Sequence, residues 1–490
     1  MTKPRFDLIG LFAFLLLAFV MGVMLSESFE QPAAENAEKP SLSTLSELEH
    51  TAPAPRALDI QRWSTEQGLR VLFMPAPELP MLDVRLTFNA GSARDGDQPG
   101  LAMLTNGMLN EGTGTLDTTA IAAGFEDLGA QFSNGAYRDM AIASLRTLSA
   151  AEQREPALAL FRQVVATPSS PADALARLKN QVLAGFEYDK QNPGKQANQA
   201  FFKALYGEHP YAHNSDGTPA SISALTADHL RAFHQRAYSA GNAVLVMVGD
   251  ISRSTAEQIA TELATALPQG PALPALAQPS KPTPGNQHIE FPSQQTHLLI
   301  GELGVSRSDA DYPAVYLGNQ ILGGGGFGTR LMEEVREKRG LTYGIYSGFS
   351  PMQARGPFMI SVQTRANQSA GTLELIQQLL RDYVAEGPTQ AELDAAKREL
   401  AGSYPLSNAS NADILGQLAV IGFYDLPSDH LQRFMQQVQA LSREEVRDAL
   451  QRQLKVDDLL VVTLGPTVEQ QPIPAPGSQT LPAPSSTPEH

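Results

Sequence analysis

The pattern of apolar and polar positions changes character several times along the chain. It opens with an apolar run from Leu8 to Leu25, broken only by glycines and preceded by Lys3 and Arg5. A run of that length with positive charge on its N-terminal side predicts an uncleaved signal anchor at 1–25. The remainder is then expected to face the periplasm as a single-pass protein of the cytoplasmic membrane, or to be free in the periplasm if the segment is cleaved. Residues 26–56 are polar, acidic and rich in Pro and Ala, and read as a flexible tether.

Short apolar runs then alternate with helical periodicity. Val71-Leu-Phe-Met and Asp83-Val-Arg-Leu-Thr-Phe predict strands, with a helix from about Pro99. Thr226-Ala-Asp-His starts a helix to about Tyr238, and Asn242 to Asp250 reads as a buried strand. The same grammar recurs after a proline-rich stretch. His297 to Leu303 predicts a strand and Tyr312 to Leu322 a helix. Ser442-Arg-Glu-Glu is a capping box opening a helix to about Leu454, and Asp458 to Pro466 predicts the closing strand. The spacing therefore predicts an α+β protein of two tandem homologous domains, at 57–267 and 288–465, joined by a Pro-rich linker at 268–287. Two unrelated α+β domains are the alternative. Beyond residue 466 the prolines multiply and the composition predicts a disordered tail to 490.

Composition narrows the chemistry. A formal net charge of -16 disfavours nucleic acid as a partner. With no cysteine there is no disulfide, thiolate nucleophile or cysteine-held metal. No G-x-S-x-G elbow marks a serine hydrolase. The chain has nine His. His209 and His213 flank a Pro-Tyr-Ala loop, and His229 and His234 lie five apart on a helix, so neither pair reads as a metal site.

Two segments carry more. Gly100-Leu-Ala-Met-Leu-Thr-Asn-Gly-Met-Leu-Asn-Glu-Gly-Thr113 resembles the active-site helix of the pitrilysin/insulinase peptidases, which bear the inverted zinc motif H-x-x-E-H. The frame of Gly100, Leu101, Ala102, Met108, Gly112 and Thr113 is kept. The chemistry is not: Met103 and Gly107 stand where the two His would grip zinc, and Asn106 stands for the Glu that would serve as general base. The family's third ligand falls near Ala184 or Gly185, neither of which ligates. The second segment is Gly323-Gly-Gly-Gly-Phe-Gly-Thr-Arg-Leu-Met-Glu-Glu-Val-Arg-Glu-Lys-Arg-Gly-Leu-Thr-Tyr343. It lacks the spacing of a phosphate-binding loop. It is similar to the family's glycine-rich turn and helix, and the family's Arg and Tyr carry over to Arg336 and Tyr343. In the family these two reach the zinc site of the facing domain, position substrate and help stabilise the oxyanion.

The resemblance, spanning roughly 60–465, implies a chain that binds no metal itself and serves a zinc held by another. The expected partner is an H-x-x-E-H-bearing zinc peptidase subunit, in a heterodimer that binds and cleaves unfolded or short peptides, with Arg336 and Tyr343 acting in trans. Substrate in this family adds as a strand to a sheet edge; the matching residues are Ser133, Asn134 and Gly135. A catalytically inert assembly or peptide-binding protein of the same fold is the alternative.

Overall fold

The structure is a computed structural model that describes residues 59–477. The predicted anchor at 1–25 and the tether lie outside the described residues. Among those described, no helix is long and apolar enough to cross a membrane. The expectation of a single-pass membrane protein is therefore corrected: it rested on one terminal segment, and nothing in the described protein supports it.

The first half builds a six-stranded sheet from β1 (Gln61–Ser64), β2 (Arg70–Pro75), β3 (Met81–Phe88), β6 (Gln131–Ala136), β7 (Ala141–Leu148) and β8 (Ala243–Gly249), with a short hairpin of β4 (Gly112–Thr113) and β5 (Leu116–Asp117) set apart. Its order is β1-β2-β8-β3-β7-β6. Its helices are α1 (Leu101–Gly107), α2 (Thr118–Glu126), α3 (Ala151–Ala166), α4 (Ala172–Asp189), α5 (Pro193–Tyr206), α6 (Pro219–Ala224), α7 (Ala227–Ala237) and α8 (Arg253–Ala266). The second half carries β9 (Gly285–Glu290), β10 (Gln295–Leu303), β11 (Ile345–Phe349), β12 (Pro357–Arg365) and β13 (Leu460–Gly465), in the order β11-β12-β10-β13-β9. Its helices are α9 (Tyr312–Asn319), α10 (Ser369–Glu386), α11 (Gln390–Ser403), α12 (Asn411–Phe423), α13 (His430–Ala440) and α14 (Arg443–Gln453). The two predicted capping signals are real: Thr226 caps α7, and Ser442 with Glu445 forms a reciprocal box on α14.

Side chains alternate across each strand, so each sheet has two faces to cover. In the first sheet Val71, Phe73, Leu245 and Met247 pack into that half's own helices. The opposite face, with Leu72, Met74, Val244, Val246 and Val248, is covered by Ile414, Leu415, Leu418 and Ile421 of α12, a helix of the second half. The second sheet mirrors this arrangement. Leu298, Ile300 and Val461 face their own helices. Leu299, Leu303, Leu460, Val462 and Leu464 are covered by Ala197, Phe201 and Leu205 of α5, from the first half. Each half thus lends one helix to the other, which explains why all seven residues of β8 are buried.

The proline-rich linker is strapped along this seam. Pro274 O accepts from Arg94 Nη2 at 2.8 Å, Ala277 O bonds His209 Nε2 at 2.9 Å, and Leu273 N donates to Asn242 Oδ1 at 2.9 Å. Residues 466–477 differ from the expected disordered tail. Gln470 Oε1 accepts from Ala370 N at 3.0 Å at the start of α10, Gln471 N donates to Asn367 O at 2.7 Å, and Gly477 N donates to Lys338 O at 2.8 Å. Ile473 packs at Gly371, where glycine leaves it room. Proline richness favours an extended chain, and here the few backbone donors left find acceptors on the second half.

Candidate functional site

Helix α1 begins at Gly100, whose φ of +92° suits glycine and whose missing Cβ spares a contact of 2.6 Å with Ile222 Cδ1. The buried Asp95 caps it: Oδ2 accepts from Gly100 N and Oδ1 from Ala102 N, both at 2.8 Å. Burial pushes the Asp95 carboxyl up to about 7, against the pull of those two donors.

On this helix the three substituted positions are structurally spent. Asn106 is buried, and its Nδ2 donates to Ile142 O at 3.1 Å and to the Tyr238 hydroxyl at 3.2 Å. Met103 lies half-buried against the first-half core. A Cβ on Gly107 would meet Leu178 Cδ2 at 3.0 Å. Ala184 and Gly185 are exposed on α4. No carboxylate or imidazole stands at any of these positions, so the residues present do not fit a zinc ion. Among the described residues no group of three or more His, Asp or Glu is placed to hold a metal. Two further histidines are committed to the backbone. His209 Nδ1 accepts from Tyr211 N, so its Nε2 carries the proton given to Ala277 O, and His234 Nε2 bonds Val165 O at 2.8 Å.

Among the described residues strand β6 is the edge of its sheet, paired only with β7. It carries Ser133, exposed, and Asn134 and Gly135, half-buried. Asn134 Nδ2 donates to Asn106 O at 2.6 Å, which joins this edge to helix α1.

Arg336 and Tyr343 lie in the second half and make no hydrogen bond or ion pair with α1 or β6 among the described residues. The glycine-rich turn places Gly326 and Gly328 at φ of +79° and +85°, conformations that favour glycine, and raises Phe327 into solvent. A π-helical turn, Met332–Glu337, follows. Of the cations near its end, Lys338 pairs with Glu333 and Glu334 at 2.8 and 2.6 Å, and Arg339 with Glu334 at 2.7 Å. Arg336 has only a looser contact to Glu337, at 3.6 Å, and its guanidinium lies 4.8 Å from the Phe327 ring centre. The chain around Tyr343 is fixed: Leu341 N donates to Val335 O at 3.1 Å, and Thr342 Oγ1 donates to Gln363 O at 2.7 Å. Yet Tyr343 is 92% exposed, and nothing among the described residues of its own half covers it. Phe327 was not singled out from the sequence, although one large apolar residue among five glycines was a visible signal.

A second feature escaped the sequence reading. The buried Asp139 accepts from the hydroxyl of Tyr211, from Gln353 N at 2.8 Å and from the hydroxyl of Tyr424 at 3.1 Å. This ties both halves to one carboxylate, whose pKa burial raises despite its donors.

Residues 70–217 match the insulinase domain of peptidase family M16, and residues 224–400 match the peptidase M16 inactive domain. A crystal structure of a peptidase M16 inactive domain from Pseudomonas fluorescens is 61% identical, with a TM-score of 0.83 over 85% of this chain and 100% of that one. The chain belongs to the M16 (pitrilysin/insulinase) peptidase family, as the two motif segments implied. A Helicobacter pylori protein named non-peptidase homolog YmxG is 28% identical over 389 residues, covering 78% of this chain and 88% of that one. The Bacillus subtilis protein named uncharacterized zinc protease YmxG is 24% identical over 83% of this chain and 98% of its own length. A protease structure from Helicobacter pylori shares the fold, at a TM-score of 0.78 and 18% identity over 84% of this chain and 100% of that one.

Proposed function

We propose that this chain is the metal-free subunit of a two-chain zinc peptidase and that it lends Arg336 and Tyr343 to the zinc site of an H-x-x-E-H-bearing partner. The observation that carries this reading is Tyr343: its neighbours are held, Thr342 Oγ1 donating to Gln363 O at 2.7 Å and accepting from Gly344 N at 3.1 Å, while Tyr343 itself is 92% exposed with no cover from the described residues of its own half. An aromatic hydroxyl held rigidly in the open suits a ligand or partner from outside. Arg336 supports it as the cation of its turn whose carboxylate contact among the described residues is the longest, 3.6 Å to Glu337. In the partner's site the guanidinium fork would orient the peptide, and the phenol would donate to the oxyanion as charge develops. Peptide would add to the open edge of β6 at Ser133, Asn134 and Gly135.

The test is peptide cleavage by the reconstituted pair. Arg336→Ala and Tyr343→Phe should each slow turnover on the order of 10- to 1000-fold while the pair still forms. Unchanged turnover in both variants sinks the assignment. The second reading, an inert peptide-binding protein of the same fold, is favoured by the free β6 edge alone. It predicts peptide affinity without any zinc-bearing partner.

A further inference from the structure

The seam between the halves carries a solvent-open cavity of about 560 Å³, within the range that small-molecule sites occupy. Its wall is built from three parts of the chain: Arg70 of the first half, Leu276 of the proline-rich strap, and Arg307, Met352 and Tyr424 of the second half. Two of these are guanidinium groups in a chain whose formal net charge is -16. Arg307 lies 5.3 Å from the ring centres of both Tyr312 and Tyr424, and its Nη1 donates to the Tyr312 hydroxyl at 3.2 Å. Its Nε is buried without an acceptor, and no carboxylate lies within ion-pair distance of it among the described residues. Arg70 gives Nη1 to Gly422 O at 3.1 Å. It reaches Asp425 only at 3.9 Å, while Asp425 pairs more closely with Arg62, at 3.1 Å. Asp425 also lines the cavity, so its wall sets two guanidinium groups against one carboxylate that Arg62 shares, and leaves an excess of planar donor forks of the kind that match carboxylate and phosphate oxygens. Leu273, Leu276, Met352 and Phe423 give the wall an apolar stretch, and the neutral polar side chains of Asn89, Asn242, Gln278, Ser308 and Gln353 complete it.

We propose that this cavity binds a small organic anion, with its oxyanion head on Arg70 and Arg307 and its apolar body against Leu276 and Met352. The site is separate from Arg336, Tyr343 and helix α1, and stands whether or not the chain serves a zinc partner. Because its walls come from both halves and the strap, a guest stabilises the seam.

Benzoate and phenyl phosphate are the probes, followed by calorimetry and thermal unfolding of the purified chain. Benzyl alcohol and sodium chloride at matched ionic strength serve as controls. At least one anion should bind and raise the melting temperature while neither control does. The arm that binds tells a carboxylate head from a phosphate head. Arg307→Gln should weaken that binding at least tenfold, and Arg70→Gln should weaken it too. The exposed Arg381→Gln should leave it intact. Two results overturn the proposal: neither anion binding beyond the controls, or Arg307→Gln and Arg70→Gln both binding as the parent does.

Discussion

Asn106 is hydrogen-bonded through its side-chain amide to the hydroxyl of Tyr238, at 3.2 Å, inside the core of the first half. The position that holds a catalytic carboxylate in zinc-bearing relatives is here a structural strut. Tyr238 is fully buried. Truncation by Asn106→Ala leaves that hydroxyl and the Ile142 carbonyl short of a partner, and should cost about 1–3 kcal/mol in chemical denaturation. Loss of a few tenths or less would mean the amide is idle.

Restoring the motif letters should not restore the metal. Met103→His, Asn106→Glu and Gly107→His together still lack a third ligand at Ala184 or Gly185, and the Gly107 change pushes on Leu178 at 3.0 Å. The triple variant should lose its zinc on dialysis. Retention of one zinc per chain would show that the site is less altered than its geometry indicates.

The exchange of helices between halves is testable at Gly422. A Cβ there would come within 2.5 Å of Val244 Cγ1 and 2.8 Å of Leu72 Cδ1, both on the sheet of the other half. Gly422→Ala should destabilise the protein by about 1–3 kcal/mol through overpacking. The exposed Gly402, where a Cβ meets nothing within 4 Å, should accept alanine with no loss. Equal effects at the two positions would argue against a tight seam.

The cap of helix α1 sets a pH dependence. Burial holds the Asp95 carboxyl at about 7, above its unfolded value of 3.8, so the folded protein keeps a proton that the unfolded chain releases. That contribution is complete below the unfolded value and is lost as pH rises toward 7, at up to about 1.4 kcal/mol per pH unit. Buried histidines held below their usual range, such as His234, act in the opposite direction near pH 6. The comparison is therefore between the parent and Asp95→Asn. From pH 5 to pH 7 the parent should lose stability relative to the variant, as read from urea midpoints. Parallel curves would contradict the assignment.

Much of this fold was legible in the chain. Thr226, Ser442 and Glu445 mark helix starts by chemistry that acts within three residues, so local sequence was enough. The frame around Gly100 and Thr113 located helix α1, and the absence of ligands at Met103, Asn106 and Gly107 followed from side-chain chemistry. What stayed hidden is long-range. The apolar face of α5, with Phe201 and Leu205, says that the helix is buried but not that the sheet it covers belongs to the other half. The Asp139 junction joins residues 139, 211, 353 and 424, and no local pattern links them. The proline-rich stretch at 466–477 misled because composition reports what a chain cannot form by itself, not what surface it can lie on.

The central claim is that this polypeptide cannot hold the hydrolytic ion and serves one held elsewhere. The most direct measurement is zinc content and peptide cleavage for the isolated chain, the zinc-bearing subunit and their mixture. The account predicts no zinc and no cleavage from the isolated chain, and full activity only in the mixture, with one zinc per pair. A stoichiometric zinc in the isolated chain, with cleavage of peptide, would contradict it.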